Sequence, residues 1–109
     1  MKPDVKSFLG RWRIVEMELW DLDYIDLVDE GFIEFDRKGL GSFGFGAIQA
    51  QIDYRTDQDT QRIEFTWHGD DEGSEILGRG WCRIDKGKLT GKLFIHLGDE
   101  STFLAERIR

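Results

Sequence analysis

The chain has 109 residues, 39% of them hydrophobic and 34% charged, a balance that fits one packed core and excludes a disordered polymer. Its formal charge is −7, and from Glu16 to Asp36 it carries nine acids with no Lys or Arg. That balance speaks against nucleic acid and against an anionic membrane surface as partners, because both require basic patches.

In chain order, "MKPDVKSFLGRWR" has no apolar run of signal-peptide length ahead of Arg11 and Arg13. No later run approaches the roughly 20 apolar residues that span a bilayer. The lone Cys82 makes no internal disulfide, so the expected location is cytoplasmic. The first strand is predicted over Gly10–Met17, with Trp12 and Ile14 on one face and Arg11, Arg13 and Val15 on the other. Segment 19–30, "LWDLDYIDLVDE", departs from period two. Trp20, Tyr24, Leu27 and Val28 could line one side of a short helix, or the segment could be a solvated acidic lid loop with Trp20 and Tyr24 tucked inward. Its Asp21, Asp23 and Asp26 lack the glycine and terminal Glu of an EF-hand loop.

Further on, "GFIEFDRKGLGSFGFG" reads as a hairpin of strands 32–36 and 40–45. The glycines around Phe43 and Phe45 lack the Lys-Ser/Thr of a phosphate loop and fit a barrel corner instead. "AIQAQIDYR" turns Ile48, Ala50, Ile52 and Tyr54 inward, and "RIEFTWH" does the same with Ile63, Phe65 and Trp67. The last third is a long hairpin turning at Lys86-Gly87. One face then opposes Ile84 with Leu89, Cys82 with Gly91, Gly80 with Leu93 and Gly78 with Ile95. The other opposes Arg83 with Thr90, Trp81 with Lys92, Arg79 with Phe94 and Leu77 with His96. Small residues set against large ones suit the inside of a strongly curved sheet. The fold class is therefore all-β: a single domain over 1–109, a small antiparallel β-barrel of about eight strands.

"FLGRWRI" resembles the Gly-x-Trp element of lipocalins and the wider calycin barrels, with Gly10 and Trp12 in the matching places. The resemblance implies that an Arg of the final strand, Arg107 or Arg109, caps Trp12 and closes one barrel end. The chain departs from that family in its shortness and in lacking the family's cysteines and secretion signal. Runs such as "FGFGAIQAQIDYR", "FTWHGDDE", "GRGWCRI" and "FIHLGDES" also resemble a group of short bacterial proteins of unassigned function, which supplies no activity to carry over.

Two stretches repeat a theme: "HGDDEGS", with His68, Asp70, Asp71 and Glu72, and "HLGDES", with His96, Asp99 and Glu100. If strands 62–68, 75–84 and 88–97 pair in sequence, the outer two run parallel and both histidines reach the same rim. These residues are candidates for a ligand-facing rim, while turn chemistry accounts for the same composition without a ligand. No His-x-His, His-x₃-His or Cys pair supports a metal set. Neither Ser74 nor Ser101 sits in the strained elbow of a nucleophile, and Cys82 falls on the predicted inner face. Arg79, Trp81, Arg83, Lys92 and Phe94 form a second candidate, an outer aromatic–cationic face. Trp and Arg are frequent interface anchors, and the same pairing also serves as cation–π cover of a sheet. The expectation is a non-enzymatic binding module without a cofactor. It would hold a small amphipathic ligand in the barrel mouth, or a partner protein or second copy (a homodimer) on the outer face. The alternative is an enzyme or metal site at the rim carrying His68 and His96.

Overall fold

In the computed structural model, which describes residues 5–108, the period-two alternation becomes eight strands. They are β1 Gly10–Met17, β2 Phe32–Phe35, β3 Leu40–Phe45, β4 Ile48–Asp57, β5 Arg62–Asp71, β6 Ser74–Asp85, β7 Lys88–Ile95 and β8 Glu100–Arg107. Each pairs antiparallel with the next and β8 pairs with β1, so the sheet is a closed barrel without a free edge. β1 carries a bulge between Ile14 and Glu16, which moves the buried face from Trp12 and Ile14 to Met17 and leaves Val15 out of step.

Sequential pairing sorts the connections onto two ends. The upper end holds segments 18–31, 46–47, 72–73 and 96–99, and the lower end holds 36–39, 58–61 and 86–87. At the lower end Trp12 and Arg107 lie together. Trp12 is buried, and its indole N–H donates to the Phe8 carbonyl at 2.9 Å. The Arg107 guanidinium lies 4.0 Å from the Trp12 ring centroid and donates to the carbonyls of Leu9 and Ser7, tying the 3-10 turn Val5–Ser7 underneath. Arg109, the other candidate, lies outside the described residues.

The interior is filled. Among the described residues, twenty-one buried apolar side chains form one cluster, drawn from every strand. The β6–β7 register is the one the hairpin turn predicts, from Asp85 opposite Lys88 to Gly78 opposite Ile95. The turn itself has φ +53° at Lys86 and +80° at Gly87, as a two-residue hairpin of this hand demands. The glycines of β6 make room on both of its seams, for the β7 backbone and for β5. On β7 the carbonyls of Phe94 and Lys92 come close to Gly78 and Gly80, and on β5 Phe65 opposes Gly80 and Trp67 opposes Gly78. A methyl on Gly80 would stand 2.6 Å from the Phe65 ring, and one on Gly78 2.7 Å from the Trp67 ring. On the other side Phe43 stacks on Phe45 at 6.1 Å and meets Trp67 edge-on at 5.1 Å.

Segment 18–31 combines the two sequence readings, a lid loop that holds a short helix. It contains one helical turn, α1 Leu22–Ile25, capped by the Asp21 carboxylate, which accepts from the Tyr24 N–H at 3.0 Å. Trp20 and Tyr24 pack inward with Phe45, but the fully buried residue is Ile25, and Leu27 and Val28 point into solvent. The predicted stripe assumed a helix running past residue 28; the chain leaves helical geometry at Asp26 because that carboxylate is engaged elsewhere. It accepts from the Gly31 N–H and from Arg13 of β1, both at 2.8 Å. Glu30 joins the same guanidinium, which fixes the lid across the upper opening.

Candidate functional site

The two histidines share the upper rim, as sequential pairing requires. His68 opposes Leu77 of β6, and the His96 N–H donates to the Leu77 carbonyl at 2.8 Å. The three residues make one row across the outside of the barrel, the histidines two strands and roughly 10 Å apart. Both imidazoles are exposed, and Leu77 stands between them. His68 Nε2 contacts Glu75 Oε2 at 2.7 Å. Among the described residues no group of three or more His, Cys, Asp or Glu has the arrangement that holds a metal ion.

The likeness of the two His-Gly-Asp-Glu stretches is compositional. In the first, Gly69, Asp70 and Asp71 belong to β5, paired with Ile76, Glu75 and Ser74, and the chain reverses at Glu72-Gly73. In the second, His96 to Asp99 is itself the reversal, closed by Ile95 N–H to the Asp99 carbonyl and Gly98 N–H to the Ile95 carbonyl, both 2.9 Å. Glu100 sits at the start of β8, outside, paired with Lys92 at 3.0 Å.

Cys82 and Ser101 are both structural. Cys82 is fully buried, and burial pushes its thiol far above the ordinary range, the opposite of an activated thiolate. Buried Ser101 is structural: its hydroxyl donates to the Thr102 carbonyl and accepts from the Leu19 N–H, anchoring the lid to β8.

The outer aromatic–cationic face is present on β6 and β7. Arg79 lies 4.9 Å and the Lys92 ammonium 5.4 Å from the Phe94 ring centroid. Trp81 opposes Lys92 in register, yet the cation over its ring is Arg62 of β5, at 4.4 Å. Arg83 opposes Thr90 and is exposed. Towards the rim this face deepens into a groove of about 440 Å³, walled by Leu77, Arg79, Phe94, His96, Leu97 and Asp99. The groove therefore unites one part of each candidate set: Arg79 and Phe94 from the face, His96 and Asp99 from the rim. His68, Asp70, Asp71 and Glu72 lie away from it, on the β4–β6 side. Leu97 was not a sequence candidate; the signal for it was a leucine in a tight turn, where Gly, Asn or Asp is usual.

Compared with protein-family models, curated proteins and solved structures, the chain finds no match.

Proposed function

We propose that this protein is a non-enzymatic binding module that holds a partner protein against the outer face of β6 and β7, with the rim groove as its anchor site. One observation carries the reading: the inward side chains form one buried cluster with no room for a methyl at Gly78, Gly80 or Gly91, while the outside offers a walled groove. The groove has the mixture that recognises side chains, with Leu77, Phe94 and Leu97 as apolar walls and a guanidinium at one edge. Arg79 has no carboxylate partner among the described residues, so a partner's acidic group meets it without breaking an existing pair. A small ligand in the barrel mouth is the weaker reading, because Trp20, Tyr24 and Phe45 already occupy that opening. The closure by Gly10, Trp12 and Arg107 supports a kinship with calycin barrels, here without a hollow interior.

An aromatic anion stands in for an acidic, apolar partner side chain. Titration with 1-anilinonaphthalene-8-sulfonate should give saturable fluorescence enhancement, weakened about fivefold or more by either Arg79→Ala or Phe94→Ala. No binding, or binding indifferent to both substitutions, would contradict the proposal.

A further inference from the structure

The upper end of the barrel joins two features that the fold itself does not need. The first is charge. The four upper connections with two flanking residues on each side (16–33, 44–49, 70–75 and 94–101) hold 13 of the 22 acids and none of the 15 Lys and Arg. The rest of the chain, with nine acids against all 15 bases, has the opposite sign. Of those 13 acids, only Asp26, Glu30, Glu75 and Glu100 have a basic partner among the described residues.

The second feature is apolar exposure at this same end. Leu19, Leu22, Leu27 and Val28 of the lid stand in solvent, Leu27 at 59% and Val28 at 62%. Leu97 is 95% exposed at the tip of the β7–β8 turn, with φ +57°. A left-handed backbone strains a leucine, and nothing packs against it in return. The lid and this turn are neighbours: the Glu18 N–H donates to the Thr102 carbonyl at 3.1 Å and the Leu19 N–H to Ser101 Oγ at 3.2 Å, just past the turn.

We infer that the upper end is a docking surface for a cationic amphipathic segment of a partner protein. Leu97 and the lid leucines receive its apolar side chains, and the surrounding carboxylates receive its Lys and Arg. Charge complementarity selects this occupant. An acidic end repels a second copy approaching with the same end, and it repels nucleic acid and anionic lipid alike. Exposed leucines without the acids would accept any apolar surface; acids without the leucines would accept any polycation. Together they specify a segment whose apolar and basic residues are segregated, as on an amphipathic helix. The surface reaches the rim groove through Leu97, yet it does not require Arg79, so the two sites can be separated experimentally.

The test uses a synthetic Leu/Lys peptide of about 14 residues with helical segregation of its leucines, and a scrambled isomer of identical charge. Calorimetry should show the amphipathic peptide binding at least about tenfold tighter than the isomer. Combining Leu22→Ser with Leu97→Asn should abolish that preference, whereas Arg79→Ala should leave it in place. A thermal midpoint for Leu97→Asn at or above that of the unsubstituted chain verifies that the fold is intact. Equal affinity for the two peptides, or a preference that survives the double substitution, would overturn the inference. So would sedimentation showing a concentration-dependent mass that the double substitution removes, since the surface would then belong to a second copy.

Discussion

Leu97 and Cys82 stand at opposite extremes of what a residue can do in this barrel. Leu97 contributes no burial and sits in a left-handed turn, a conformation that costs an L-residue about 1–2 kcal/mol and that Asn tolerates far better. Leu97→Asn should therefore stabilise the protein by about 0.5–1 kcal/mol, read as a thermal midpoint raised by a few degrees. An unchanged or lowered midpoint would mean that the side chain does pack. Cys82 is wholly inside, between Ile63 of β5 and Gly91 of β7, and burial raises its thiol pKa above the ordinary 9.0. The folded chain then keeps the proton while the unfolded chain releases it, so this contribution is complete below the ordinary thiol range and is lost as pH rises above it. Between about pH 8 and about pH 10 the unfolding free energy from urea titration should fall, by at most about 1.4 kcal/mol per pH unit, and the fall should be shallower in Cys82→Ala. Identical slopes would show that the thiol is not the group responsible. Both residues were legible in different degrees. The alternation of β6 placed Cys82 inside, whereas a leucine's exposure depends on neighbours that the sequence does not name.

Among the elements, β6 shows how local pattern and distant packing divide the information. Its hairpin with β7 was readable residue by residue, because a two-residue turn at Lys86-Gly87 fixes every later pair. What the pattern could not reveal was that Trp67 and Phe65, across the other seam with β5, also crowd Gly78 and Gly80. Gly80→Ala should cost about 1–3 kcal/mol in chemical denaturation, as an inserted methyl does in a filled core. A neutral Gly80→Ala would indicate empty space beside Phe65. The lid shows the converse. Trp20 and Tyr24 were expected inward and are inward, but the helix ends early because Asp26 is held by Arg13, a pair 13 residues apart in sequence. That clamp is about a third exposed and contributes on the order of 1 kcal/mol, so it positions the lid more than it stabilises the barrel.

At the scale of the whole molecule, the barrel closes because β1 and β8 each present one buried face and an unpaired edge, and joining them removes both edges of the sheet. The closing Arg over Trp12 was legible only through the resemblance of "GRW" to a known element; nothing in the spacing chooses Arg107 over another late cation. The acidity of residues 16–30 was plain in the sequence, but its meeting with Asp70, Asp71, Glu72 and Asp99 at one end required the topology. The result is a small solid barrel, acidic and leucine-bearing at one end, with an aromatic–cationic face on its side. The proposed function places recognition on this surface and not in the interior. The most direct test is an amide chemical-shift map of ¹⁵N-labelled protein titrated with 1-anilinonaphthalene-8-sulfonate. Shifts clustered on Leu77, Arg79, Phe94, His96 and Leu97 are the predicted result; shifts centred on Phe43, Ile52 and Trp67 would place the ligand inside the barrel and contradict the account.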